Sequence, residues 1–383
     1  MIALRLPILL CITLLGLSLA EAAMAMDRVV LERDGRQQTV VGRLVVEAED
    51  GGLLLLARDG VLWAVQPEEK VSHNTDDEPF TPLSADELAK NLLAELPPGF
   101  EVHKTRNYLI LHNSSRAYAV WCGSLFERLY QAFSNDWKNR GFELTEPEFP
   151  LVAVIFGDRE SYLRFARAGE LGDAAESILG YYSLRTNRMT MCDLTGISSL
   201  ARGRRIRSAT QIDQILSAPD ALMTVATIVH EATHLIAYNR GMHIRLSDCP
   251  LWLAEGLAIR FETPDLGSAK GWRGIGQVNP SRLERFNDYL ARRPADSLAT
   301  LIAKDDRFRN PATALDAYAE AWALTYFLIR NRTGDYLTYL RHVSKKKPLV
   351  GDTPEERLDE FQAVFGSLDQ LDREFMRYMR RGR

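Results

Sequence analysis

The run His230-Glu231-Ala232-Thr233-His234 places two imidazoles four positions apart, with a carboxylate beside the first. On an α-helix, residues i and i+4 share a face, so both rings can reach one ion. Zinc suits that pair, because neutral imidazole nitrogen is among its preferred ligands, and Glu231 stands where such a site keeps a general base for peptide hydrolysis. A catalytic zinc needs three protein ligands and an open position. The third is expected from Glu255, in the apolar segment Pro250-Leu251-Trp252-Leu253-Ala254-Glu255-Gly256-Leu257-Ala258. It lies 21 residues after His234, enough chain for one helix to end, turn and return antiparallel. Glu262, two turns further along the same face, is the competing ligand. Two neutral rings and one carboxylate leave a Zn²⁺ complex with net charge +1, which lowers the pKa of bound water toward about 7. Glu231 would take a proton from that water and deliver it to a leaving amine.

These residues need elements to position them. Residues 220–238 are apolar or small nearly all round, which marks a buried helix, and Asn239-Arg240-Gly241 supplies its stop. Two histidines and a glutamate in such a helix are costly to bury unless something satisfies them, and a bound cation does so. Without metal, the rings would bond to backbone carbonyls and to each other, with Glu231 exposed. Gly256, unfavourable in a helix by roughly 1 kcal/mol, is expected where the Glu255 helix packs closely on the histidine helix. Upstream, 151–156 (Leu-Val-Ala-Val-Ile-Phe) reads as a buried strand, 117–137 as an amphipathic helix and 180–183 with 188–191 as a strand or a hairpin. From residue 220 onward the pattern is almost wholly helical. Strands first and helices afterwards indicate an α+β fold.

The chain has 383 residues, 46% hydrophobic and 26% charged, ordinary for globular domains and long enough for two or three. A net charge of −4, from 47 basic and 51 acidic side chains, demands neither nucleic acid nor an anionic membrane as partner. Residues 1–25 read as a signal peptide: Arg5, an apolar core over 6–20, then small residues at Ala20-Glu21-Ala22 or Ala23-Met24-Ala25. That core is shorter than the roughly 20 residues of a bilayer span. The chain is therefore expected in the periplasm or cell envelope, with no transmembrane segment once the signal is removed. Residues 27–71 read as a small all-β domain, 72–98 as a linker with a short helix, and 99–383 as the main domain, divided at 240/241. Cys122, Cys192 and Cys249 allow one disulfide and a free thiol, or three buried thiols. Four arginines within 202–207 read as a solvated loop, since no aromatic residues interleave with them.

His230 to His234, followed by Trp252-Leu253-Ala254-Glu255-Gly256-Leu257-Ala258, resembles the gluzincin clan of zinc metallopeptidases. With Phe261-Glu262-Thr263-Pro264 and Gly271-Trp272-Arg273-Gly274-Ile275-Gly276, residues 100–345 look more closely like the DUF1570 family of uncharacterised bacterial exported proteins. The resemblance implies a thermolysin-like core, a small mixed sheet over the active-site helix and then a helical lobe. It implies zinc on His230, His234 and Glu255, Glu231 as base, a peptide or protein substrate pairing with the edge strand near 180–192, and Tyr318 stabilising the oxyanion. Where many gluzincins carry an Asp bonded to a ligand histidine, this chain has Ile259, so that support must come from elsewhere. Two other expectations remain open: a catalytically inactive envelope protein that binds a partner, and a zinc amidase acting on cell-wall peptides.

Overall fold

A computed structural model describes residues 25–196, 208–218, 221–263, 266, 272 and 274–381. The expected signal peptide, apart from Ala25, lies outside these residues, as do 202–207 and the motif positions Pro264, Gly271 and Arg273. The fold is α+β: an N-terminal all-β sheet, a mixed sheet flanked by helices, and a helical C-terminal part.

The N-terminal sheet contains β1 (Ala25–Arg33), β2 (Arg36–Glu47), β3 (Leu53–Ala57), β4 (Leu62–Val65) and β5 (Lys70–Pro79), in the order β4-β3-β2-β1-β5. Turns at Asp34-Gly35, Gly51 and Gly60 take the positive φ that the sharp reversals need. The polar stretch 73–79, expected as linker, is instead the fifth strand, paired antiparallel with β1 from Lys70 to Pro79. Its lack of an apolar pattern reflects its place at the sheet edge, where backbone pairing and a few polar side-chain bonds hold it. Buried Asp27 locks the pair: its carboxylate accepts from Thr75 Oγ1 (2.7 Å) and Leu44 N–H (3.0 Å) and lies 2.8 Å from His73 Nε2.

After α1 (Ala85–Glu95) the chain forms β6 (Glu101–Lys104), β7 (Tyr108–His112), α2 (Arg116–Asn139), β8 (Leu151–Phe156), α3 (Arg159–Ala168), β9 (Gly180–Ser183) and β10 (Arg188–Cys192). The sheet order is β6-β7-β8-β10-β9, with β7, β8 and β10 parallel and the two outer strands antiparallel. The all-apolar β8 is buried on both faces, as a central parallel strand requires. Leu151, Ala153 and Ile155 join the large core with α2, while Val152, Val154 and Phe156 pack with Leu88, Leu92 and Tyr162 of α1 and α3. The sheet is thus the middle of three layers, and β9 forms its outer edge.

The helical part comprises α4 (Ala209–Leu216), α5 (Leu222–Asn239), α6 (Leu251–Ile259), α7 (Pro280–Leu290), α8 (Ser297–Ala303), α9 (Asp306–Arg309), α10 (Ala314–Asn331), α11 (Thr333–Val343), α12 (Pro354–Phe365) and α13 (Leu368–Arg381). Helix α5 packs with α2 beneath the sheet and ends at Gly241, where φ is +75°. No helix among the described residues is long and apolar enough to cross a membrane. Cys122, Cys192 and Cys249 are all free thiols.

Candidate metal centre

Helix α5 carries the two histidines on the side facing α6. Val225, Ile228, Val229, Ala232, Leu235 and Ile236 on the same helix are fully or almost fully buried, so its rotation is set by packing. Helix α6 is apolar on every side and equally buried, apart from the partly exposed Leu251 and Glu255. Its end is anchored by Arg260, a buried guanidinium paired with Asp136 of α2 at 3.1 Å. The close approach at Gly256 is to α10, not to the histidine helix. A Cβ there would overlap Thr325 Oγ1 and come within 2.8 Å of the Ala321 carbonyl.

The packing brings His230, His234 and Glu255 together, one donor atom from each within 4.8 Å of the others. His230 Nε2 lies 3.0 Å from His234 Nε2 and 2.9 Å from Glu255 Oε2, and His234 Nε2 lies 3.6 Å from the same oxygen. Two ligands on a tetrahedral zinc at about 2.05 Å stand about 3.3 Å apart, so this triangle has the right size. Its chemistry also fits. If Nδ1–H of His230 donates to Glu262 in a neutral ring, then Nε2 offers a lone pair toward a carboxylate that is itself only an acceptor. A proton or a cation must lie between them.

Glu262 does not join the donor triangle. Its Oε1 lies 3.0 Å from His230 Nδ1, on the far side of the ring from the donor triangle. Arg282 donates to both its oxygens (2.8 and 3.1 Å), and Asn279 Nδ2 donates at 3.1 Å. This is the carboxylate support missing at Ile259, delivered three residues later from beyond the end of α6. A contact of this kind orients an imidazole ring and sets which nitrogen carries the proton. Arg282 and Asn279 carry no signal in the sequence as site residues. Asn279 is visible there only as the cap before Pro280, and its side chain does accept from Arg282 N–H as well.

Burial disfavours charge throughout the centre, and specific partners decide the outcome. Desolvation would lower His230, but the hydrogen bonds it donates to Glu255 and Glu262 hold it well above its ordinary value. Desolvation would raise Glu255, but the two imidazoles hold it far below the carboxylate range. Desolvation prevails at Glu231 and raises its pKa, with the histidines opposing. Glu231 is not left exposed: its Oε2 accepts the Tyr182 N–H of edge strand β9 at 3.0 Å. Tyr318 on α10 is half-buried against Phe308. Its phenol is pushed up first by the charge of Glu255, then by burial and the charge of Glu231, and the Arg282 guanidinium that clamps Glu262 lies 5.8 Å from its ring centre.

The other histidines stand apart from the triangle. His243 is buried, with Nδ1 3.4 Å from Cys249 Sγ, and burial and the charge of His234 drive its pKa down to about 3. It does not line an open cleft. His112 Nδ1 lies 3.1 Å from the Ser114 carbonyl, and His342 lies 3.0 Å from Glu360. His103 is part-buried, beside Gly123 of α2.

No curated protein and no solved structure matches this chain. Residues 224–350, which include most of α5 with both histidines, Glu255, Glu262 and Tyr318, match DUF1570, a family described as a protein of unknown function.

Proposed function

We propose that the protein is an exported zinc-dependent peptidase, with a gluzincin-type centre of His230, His234 and Glu255. The observation that carries this reading is the convergence of those three donors beside a fourth group, Glu231, bonded to the edge of a sheet. A mixed sheet above the histidine helix, with a helical lobe after it, is the layout a thermolysin-like core would have. Zinc, when bound, supplies a Lewis acid that polarises a carbonyl and makes water nucleophilic near neutral pH.

The remaining work falls to the chain. Glu262, clamped by Arg282 and Asn279, keeps the His230 ring turned toward the donor triangle. Glu231, its pKa raised by burial, accepts a proton from the attacking water and returns it to the leaving amine. Tyr318, held neutral by its acidic neighbours, donates its hydroxyl to the developing oxyanion. The outer edge of β9 receives an extended substrate by backbone pairing, which accepts many side chains. Export rests on the leader-like residues 1–25.

The test is the Glu231→Gln variant of the zinc-loaded protein, assayed against a broad peptide library. Hydrolysis by the parent and its loss in the variant, at equal zinc content, is the expected result. Undiminished turnover in the variant rejects the mechanism. A zinc-loaded parent that cleaves no peptide leaves a binding protein, and cleavage confined to peptidoglycan fragments makes it an amidase.

A further inference from the structure

Edge strand β9 is fastened to the histidine helix at two places, and both run through Tyr182. Its backbone N–H donates to Glu231 Oε2 at 3.0 Å. Its ring lies along that of Tyr238, with centroids 5.5 Å apart and planes at 28°. Its hydroxyl donates to Asn187 Oδ1 at 2.7 Å. Asn187 sits in the turn between β9 and β10, where it meets Asn239, the last residue of α5. The two amides exchange hydrogen bonds: Asn187 Nδ2 donates to Asn239 Oδ1 at 2.9 Å, and Asn239 Nδ2 donates to Asn187 Oδ1 at 2.8 Å. Asn239 Nδ2 also donates at 2.8 Å to the Leu235 carbonyl, which can only accept. That contact fixes which end of the Asn239 amide is nitrogen, and the reciprocal pair then fixes Asn187.

Asn187 meets two demands at once. Its φ of +58° lies in the left-handed region, which asparagine tolerates better than most side chains. Glycine would satisfy the backbone alone. The amide serves the second demand, the junction with α5 and Tyr182. It is buried, which is costly for a polar group without partners, and both lone pairs of Oδ1 are taken. Glu231 and Asn239 are eight residues apart, about 12 Å along the helix at 1.5 Å per residue. Two attachments at that separation stop the strand from pivoting about either one.

We propose, resting on the peptidase reading, that Tyr182, Asn187 and Asn239 form one junction that positions Glu231 for proton transfer. The Tyr182 N–H engages Oε2 and so sets the direction in which the carboxylate meets the water. The amide pair holds the strand that carries this N–H. None of the three side chains touches the reacting atoms, so they are positioning residues. A base must lie about 2.6–3.2 Å from the group whose proton it takes. A shift of about 1 Å in its support can therefore weaken the step roughly a hundredfold.

The experiment uses the zinc-loaded full chain and a peptide that it cleaves. Asn187→Gly keeps the turn and removes the amide, while Tyr182→Phe keeps the ring and removes the hydroxyl. Each should lower kcat about 10- to 100-fold with KM and zinc content unchanged, the pattern of an interaction that acts in the transition state. The double variant should be no worse than the poorer single, because both cut the same junction; losses that multiply overturn it. Equal kcat in the variants and the parent overturns it too and leaves the peptidase standing, whereas a parent that cleaves no peptide overturns the peptidase reading. Hydrogen exchange at the Tyr182 amide tests the contact without activity. That amide should be protected in the parent and lose its protection in Glu231→Ala. Rapid exchange in the parent overturns the junction, even where a variant folds poorly.

Discussion

His230 carries two carboxylates, one on each ring nitrogen, and the distinction between them is the chemical core of the site. Glu255 at Nε2 sits among the donor atoms, whereas Glu262 at Nδ1 is bound by Arg282 and Asn279. The residue types and their spacing left both acids open as ligands, because a continuous helix would put both on one face. Only the position of the ring between them separates the roles. Removing Glu255 should abolish stoichiometric zinc. Changing Glu262 to Gln should keep the metal but weaken its retention about 10- to 100-fold, as is usual for groups that orient a ligand histidine. A chelator competition titration measures both, and equal affinity in Glu262→Gln and the parent would mean that the Nδ1 contact does not orient the ring.

Among the elements, α6 explains why the motif around Glu255 contains a glycine. The physical demand was legible, but the partner was not. The expected neighbour was the histidine helix, and the observed one is α10, whose Thr325 and Ala321 occupy the space a Cβ would need. Ala321 presents backbone there, which cannot rotate away. Gly256→Ala should therefore destabilise the fold by roughly 1–3 kcal/mol despite the higher helix propensity of alanine. Denaturant unfolding checks this, and a stabilised variant would show that α6 and α10 are free to separate. Tyr318 lies on the same helix as Thr325 and Ala321, so under the proposed peptidase reading the variant should also lower hydrolysis. Strand β5 shows the opposite case. Its polar residues carry no period-2 signal, and only pairing with β1 and the bonds to Asp27 make it a strand.

For the molecule as a whole, one buried acid at the end of β10 sets a pH dependence separate from the metal centre. Burial raises Asp193 to about 6, partly offset by hydrogen bonds from the Thr195 hydroxyl and N–H. The folded state therefore holds this proton more tightly than the unfolded chain. Its contribution to stability is best below pH 3.8 and declines as pH rises to about 6, beyond which a constant penalty remains. A shift of about two units corresponds to roughly 3 kcal/mol. Asp193→Asn, which keeps an acceptor for Thr195, should flatten the stability profile between pH 4 and 6 and raise stability at pH 7. Parallel profiles for the two proteins would show that the carboxyl is ionised in the fold.

The histidine pair, its neighbouring acid, the burial of their helix, the central strand and the α+β order could all be read along the chain, because each is a local pattern of residue type and period. That Glu255 and not Glu262 lies beside the two Nε2 atoms, the clamp by Arg282 and Asn279, and the neighbour of Gly256 were decided by the folded arrangement alone. Each depends on which distant surfaces meet, and side-chain periodicity records that a face is buried without recording what covers it.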